Sequence, residues 1–248
     1  MQKSTSKILN NYQIFIMAQK FTAEVIQKDK ITEHVYFVTF KLKQPEEISF
    51  RAGQCMMLMC GAGVNRTMSI ASVPSVTNQV SMVHDVSPMG PGSKWTLGLT
   101  IGDTVNFVAP TGVFFFDETS PRKKVFVATG TGIAPFYSMI KDYLHKKGDA
   151  QIEVYWGMRY EADMFWQEEL NSLYETYPNF NWHQVLSKPS ENWKGLTGHV
   201  TEHVLHSDKD LSADEYYLCG NKQMIEDVRA RLTEKNVPKD QIKSELFY

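Results

Sequence analysis

Four short stretches of this chain carry side chains able to do chemistry. "TGTGIAPF", residues 129 to 136, sets Gly130, Thr131, Gly132 and Ile133 between the apolar run "KVFVA" and a helix-period stretch. A strand running into a glycine turn and then a helix offers bare backbone amides to an anion, so the loop suits a phosphate. Taken alone it is equally well explained as a tight turn. "NRTMSIAS" places Arg66 and Ser69 three apart with Thr67 and Met68 between them, and "MGPGSKW" places Gly90, Gly92 and Ser93 ahead of a short helix. A guanidinium, a hydroxyl and a helix N-terminus suit a diphosphate, although each alone reads as a surface arginine or a glycine turn. "YWGMR" and "YLCGNKQM" bring Gly157, Arg159, Cys219 and Gly220 to the ends of strand-like runs. In an open parallel sheet, that is the edge where ligands bind.

The elements that must position these residues follow two rhythms. Up to about residue 118 the chain alternates. "EVIQKDKITEHVYFVTFKL" reads as two strands about a polar turn at Lys28 to Lys30, and "QVSMVHDVS" and "DTVNFVAPTGVFFF" read as further strands. One short helix falls near Ser93 to Leu97. This pattern predicts an antiparallel barrel or sandwich. From Lys123 onward, strands alternate with helix-period stretches: "KVFVAT", then Phe136, Met139, Ile140, Tyr143 and Leu144, then "QIEVYWG", "FWQEELNSLYETY", "FNWHQVLS", "GHVTEHVLHS", "EYYLCG", "KQMIEDVRARLTEK" and a closing "IKSELFY". That alternation predicts a parallel sheet with helices on both faces. The polar, proline-marked "FDETSPRKK" bridges the halves. The expected division is a loose tail at 1–20, a barrel domain at 21–119 and an α/β domain at 120–248.

Bulk properties narrow the partners. The 248 residues are 42% hydrophobic and 22% charged, as in ordinary globular proteins. With 26 basic and 28 acidic residues the net charge is -2, which asks for neither nucleic acid nor an anionic membrane. No apolar run approaches the roughly 20 residues of a membrane helix, so no membrane insertion is expected. The apolar part of the N-terminal stretch, Ile14 to Ala18, is too short for a secretory signal, and Met17 is a second candidate start. Three cysteines, Cys55, Cys60 and Cys219, make no disulfide framework and suit a reducing, cytoplasmic compartment. Cys55 and Cys60 are spaced C-x4-C, but the third cysteine of a plant-type iron–sulfur site is replaced by Gly63.

The order "RTMS", "GPGS", "GTGIAPF", "YWGMR", "CGNKQM" and an aromatic C-terminus resembles the ferredoxin–NADP reductase-like family of flavoproteins, from about Phe21 to Tyr248. The resemblance implies a two-domain fold: an N-terminal antiparallel six-stranded β-barrel that binds FAD and a C-terminal α/β parallel-sheet domain that binds NAD(P)H. Motif by motif, it implies that Arg66 pairs with the flavin diphosphate and that Ser69 hydrogen-bonds near flavin N5. Gly90, Gly92 and Ser93 would contact the diphosphate, with Thr67, Met68 and His84 completing the flavin set. The loop Gly130 to Ile133, with Gly157, Arg159, Gly220 and Met224, would hold the nicotinamide nucleotide. Cys219 would lie by nicotinamide C4. Tyr248 would stack on the flavin until nicotinamide displaces it, and Glu245 would hydrogen-bond with Ser69 or Cys219. The catalytic set is therefore Ser69, Cys219, Glu245 and Tyr248. Where the family usually has R-x-Y-S, this chain has Met68 in place of the tyrosine, which cannot stack as an aromatic but can lie against a ring.

Ser187 and Lys188 in "VLSKPSENW" follow the third strand, where the family selects its nicotinamide, and the lysine tilts the expectation to NADPH over NADH. The implied activity is hydride transfer from NAD(P)H to FAD and delivery of electrons to an acceptor such as ferredoxin or flavodoxin, or to a small molecule. Two other readings stay open. One is a flavin-binding regulatory or electron-transfer subunit of a larger redox complex. The other is a dehydrogenase using the α/β half alone, against which "GTGIAP" is not G-x-G-x-x-G and no acid closes the second strand. His199, His203 and His206 share a helical spacing but read as a solvated face, and Met56, Met57 and Met59 read as core. Phe114, Phe115 and Phe116 read as barrel core and domain interface.

Overall fold

The computed structural model describes residues 17–61, 63–205 and 210–246. Its first half is one antiparallel sheet of six strands: β1 (Gln19–Lys30), β2 (Val35–Gln44), β3 (Cys55–Met59), β4 (Asn65–Ser69), β5 (Gln79–Asp85) and β6 (Thr104–Thr111), in the order β4-β3-β6-β1-β2-β5. Alternation sends Phe21, Ala23 and Val25 of β1 inward, all fully buried. Phe21 lies opposite Phe107 of β6 with their rings stacked at 5.3 Å. The sheet curls until its ends nearly meet, where Ala71 N–H donates to the Ser81 carbonyl at 2.8 Å. The helix α1 (Pro91–Gly98) is tied to β5 by a 2.8 Å hydrogen bond between His84 Nδ1 and Thr96 Oγ1.

Three local expectations need correcting. The first hairpin turns at residues 31–34 and not at Lys28 to Lys30, which stay in the ladder opposite Val38 to Tyr36. Thr32 sets this turn: its hydroxyl accepts from His34 N–H at 3.4 Å and Val35 N–H at 3.1 Å. Gln19 and Lys20, expected in a loose tail, pair with Ala109 and Val108. Finally, β6 stops at Thr111, before Gly112 with φ of +85°, so "VFFF" belongs to no ladder.

The second half is a parallel sheet of β7 (Lys124–Thr129), β8 (Ile152–Met158), β9 (Phe180–Leu186), β10 (Leu196–Thr197), β11 (Glu215–Gly220) and β12 (Ile242–Leu246), in the order β10-β9-β8-β7-β11-β12. The two-residue β10 had no sequence signal. Helices α2 (Ile133–His145) and α3 (Gln167–Thr176) pack on the face carrying Phe126, Val154 and Trp156. Helices α4 (Val200–Val204) and α5 (Lys222–Glu234) cover the other, carrying Val125 and Val127.

The segment joining the halves is part of the core. Phe114 and Phe116 are buried with Phe126, Phe136 and Tyr217, in a cluster that also takes in Val35, Ala52, Ala71 and Val83 of the barrel. They fill the joint between the sheets, and the barrel interior is closed without them. Phe115 takes the guanidinium of Arg51 on its face at 4.0 Å. Beneath them, fully buried Lys124 pairs with Glu215 at 2.8 Å, and Tyr217 donates to the same carboxylate at 2.9 Å. The Tyr217 hydroxyl in turn accepts from Asp117 N–H at 3.0 Å, fastening the joining segment to the sheet.

Two glycines of the 130–132 turn have different reasons to be glycine. A Cβ on Gly132 would lie 2.3 Å from the Cys219 carbonyl oxygen, so the turn docks on β11 only without one. Gly130 has φ of +54° and open space around it, and its carbonyl accepts from Trp156 Nε1 at 2.9 Å. Gly132→Ala should therefore cost about 2 kcal/mol or more, because rigid backbone must move, and Gly130→Ala only about 1 kcal/mol of conformational strain. Urea midpoints of the two variants check this ordering.

One carboxylate with three donors gives a pH-dependent contribution. Glu153 accepts from His183 Nε2 at 2.8 Å, from Lys123 Nζ and from the Tyr155 hydroxyl at 3.2 Å. The bond from His183, then Lys123, holds its carboxyl at about 2, against an ordinary 4.5. The contribution is fully present above 4.5 and is lost as pH falls toward 2. Glu153→Gln should lower stability by about 1 to 2 kcal/mol at pH 7, and that deficit should shrink steadily below pH about 4 in denaturation series.

Candidate functional site at the joint of barrel and sheet

The two sheets meet where β12 presents Glu245 to the barrel. Parallel pairing sets Glu245 beside Cys219 of β11, and antiparallel pairing sets Ser69 of β4 beside Cys55 of β3. Across the joint, Ser69 Oγ donates to Glu245 Oε2 at 3.4 Å and Cys55 Sγ donates to Oε1 at 3.5 Å. Burial raises the Glu245 carboxyl above its ordinary range, and the two hydrogen bonds draw it partly back. Burial also raises the Cys219 thiol, and pushes Cys55 up to about 12 with Glu245 adding to the effect, so both sulfurs are neutral thiols. Ser69, Cys219 and Glu245 were expected together. Cys55 was not, because only the register of β3 against β4 brings it there.

A second grouping surrounds the start of α1. Arg66 lies across Gly92 so closely that a Cβ there would fall 2.8 Å from Arg66 Cγ. The helix begins at Gly90 and Pro91 with no side-chain cap and no acidic residue in its first turn. Its free amides and the guanidinium thus put positive charge on positive charge, while Arg66 Nη1 donates to the Asn65 carbonyl at 2.7 Å. Gly92 and Ser93 are buried beside it. Thr67 points outward on β4, and half-buried Met68 packs on the barrel core opposite Met56. His84 is held by Thr96, and burial lowers its pKa.

The third grouping is the C-terminal edge of the parallel sheet. The turn at Gly130, Thr131 and Gly132 enters α2 at Ile133 with no capping side chain and no acid in the first turn. Asn221 N–H donates to Thr129 Oγ1 at 2.8 Å, and a Cβ on Gly157 would touch Thr129 Cγ2 at 3.2 Å, so the ends of β7, β8 and β11 converge. Gly220 packs its Cα against Thr129. Ser187 N–H donates to the Met158 carbonyl at 3.0 Å and Lys188 N–H to the Arg159 carbonyl at 2.9 Å, which brings two exposed cationic residues, Arg159 and Lys188, to one corner.

Not every expected residue reaches the cleft. Met224 is buried in the core under α5, because Asn221 caps that helix and turns its apolar face to the sheet. Tyr248 lies outside the described residues. His199 stands at the N-cap position of α4 without a side-chain capping bond, His203 Nε2 contacts the Thr197 carbonyl at 2.8 Å and His206 lies outside the described residues. Among the described residues no group of histidines, cysteines and acids could hold a metal, and no helix is long and apolar enough to cross a membrane. Met56 is core, and Met57 and Met59 alternate to the opposite face.

Comparison with known proteins finds one family match in each half of the chain. Residues 22–116 match the oxidoreductase FAD-binding domain family and residues 126–230 the oxidoreductase NAD-binding domain family. Ferredoxin–NADP reductase B of Sorangium cellulosum is 30% identical over 223 residues, covering 86% of this chain and 91% of that protein. The electron transfer component of anthranilate 1,2-dioxygenase from Acinetobacter baylyi is 32% identical over 183 residues, covering 73% of this chain. The match takes in 53% of that longer protein, about half its length. Among solved structures, a ferredoxin–NADP+ reductase of Neisseria gonorrhoeae with bound FAD and NADP superposes with a TM-score of 0.80 at 20% identity, covering 92% of this chain and 99% of that one. An FAD-binding barrel followed by an NAD-binding sheet, with near full-length similarity to one such reductase, makes this chain a member of the ferredoxin–NADP reductase-like family of FAD-dependent NAD(P)H oxidoreductases.

Proposed function

We propose that the chain takes hydride from NADPH onto FAD at the Ser69–Glu245–Cys219 joint and passes electrons to a separate acceptor protein such as ferredoxin or flavodoxin. The observation that carries this reading is that one carboxyl from the α/β half is held by a hydroxyl and a thiol of the barrel half. The residues fit a flavin: Arg66 and the uncapped start of α1 leave a doubly positive corner that a diphosphate neutralises. Gly92 keeps that approach free of a side chain, and Ser93 adds a hydroxyl. The residues fit a nicotinamide dinucleotide as well, with bare amides from Gly130 to Ile133 for its diphosphate.

When bound, the flavin accepts hydride and gives electrons singly or as a pair. This chain's residues supply the setting. Ser69 orients a hydroxyl fixed by Glu245 Oε2. Glu245, its carboxyl raised above the ordinary range by burial, holds a proton more readily than an exposed carboxylate, and gaining or losing it switches that hydroxyl between donor and acceptor. Cys219 walls the joint as a neutral thiol. Arg159 and Lys188 favour NADPH by offering two cations where the adenosine 2′-phosphate would lie. Met68 leaves the place of the usual tyrosine aliphatic.

A visible spectrum of the purified protein, followed by anaerobic addition of NADPH and separately NADH, tests the reading. A yellow protein bleached by NADPH supports it. A yellow protein bleached by neither donor favours the regulatory or electron-transfer subunit, and a colourless one that FAD does not restore overturns the reading of the barrel. Ser69→Ala should slow flavin reduction about 10- to 100-fold in stopped flow with FAD content unchanged. Lys188→Ala should raise Kd for NADPH about tenfold while leaving that for NADH within about twofold.

A further inference from the structure

The carboxyl of Glu245 is gripped on both oxygens, and the grips differ. Ser69 Oγ holds Oε2 at 3.4 Å, while Cys55 Sγ holds Oε1 at 3.5 Å and lies 3.9 Å from Ser69 Oγ. The three groups form a closed triangle spanning both halves of the chain. Cys55 is 2% exposed and sits opposite Ser69 in the β3–β4 register, so its thiol has little freedom to turn elsewhere. Gly112 completes the enclosure. A Cβ there would stand 3.6 Å from Cys55 Sγ and 3.8 Å from Glu245 Oε1, and the glycine presents no polar group of its own side chain to compete.

We propose that Cys55 is a positioning residue for the hydride-transfer site: its thiol fixes the plane of the Glu245 carboxyl and favours the carboxylate, and so sets the pH at which Ser69 is presented to the reacting groups. The part about hydride transfer rests on the function proposed above, whereas the grip on Glu245 stands on the distances alone. The neutral thiol can donate, and a donor that favours the carboxylate lowers its pKa. Removing that donor must raise it. The other groups facing the carboxyl from neighbouring elements are Ser69 on β4 and Cys219 on β11, neither of them charged. On β12 itself Lys243 is two residues away and donates to the Tyr217 hydroxyl at 3.2 Å. Among the described residues, burial thus acts against a thiol and a hydroxyl with no cation in between, and loss of one donor should be felt in full.

The test reads Glu245 directly. Holoprotein labelled with 13C at glutamate side-chain carboxyls is titrated by NMR, with the Glu245 signal assigned by its loss in Glu245→Gln. Cys55→Ala and Cys55→Val, which remove the donor with and without loss of volume, should each move the Glu245 midpoint up by about half a pH unit. Cys55→Ser, a stronger donor, should leave it at or below the wild-type midpoint. The pH profile of NADPH-driven flavin reduction should move with the NMR midpoint in the same order. An unchanged midpoint in the alanine and valine variants, or an equal shift in serine and alanine, would overturn the proposal. If wild-type flavin is reduced by neither nucleotide, the hydride reading fails while the NMR midpoints still decide whether Cys55 governs Glu245.

Discussion

A lysine ammonium with no exposed surface and a carboxylate 2.8 Å from it hold this molecule's two halves to one plan. Lys124 and Glu215 open adjacent strands, β7 and β11, beneath the joining segment. Such a pair is costly to desolvate and is tolerated only when its remaining bonding capacity is filled. Here Tyr217 fills it, and its hydroxyl then takes the Asp117 N–H. The lysine also lies 5.5 Å from the face of Phe116. The polar network thereby fixes the segment whose phenylalanines fill the space between barrel and sheet.

The position of the site follows from that joint. Glu245 comes from the last strand of the parallel sheet, and Ser69 and Cys55 come from two barrel strands far earlier in the chain. No single element could bring them together. Their hydrogen bonds are at the long end of the useful range, so small changes in the angle between the halves would break them. On the function proposed above, the site aligns two ring systems, and a rigid aromatic joint suits it, because a misplacement of about 1 Å can slow such a transfer about a hundredfold.

Much of this was legible in the residues. Period-two alternation in β1 and β2, and strand–helix alternation after Lys123, followed from one-sided burial and carried the two sheets. The glycine turn at 130–132 was visible too, although its two glycines serve different ends, one packing and one conformation. What escaped depended on contacts distant in sequence or on side-chain turn chemistry. Thr32, not the lysines, shapes the first hairpin. Phe114, Phe115 and Phe116 look like more of the preceding strand, yet β6 ends at Thr111, and Phe114 and Phe116 go to the interface between the halves and not to the barrel core. Met224 looked like part of a motif but follows its helix face into the core. Cys55 carried no signal beyond its spacing from Cys60, which points to the wrong chemistry, and its role needs the register against Ser69 to be known.

Arg66 beside the uncapped start of α1 has a consequence for the life of the chain. Like charge pressed on like charge weakens the barrel as long as nothing lies between, and an anion there stabilises only the folded form. On the function proposed above, that anion is the flavin's own diphosphate. The folded fraction then rises with the concentration of free FAD in the cell, and newly made chains compete with one another for it. A shortage of the vitamin precursor would then lower the share of this protein that survives quality control.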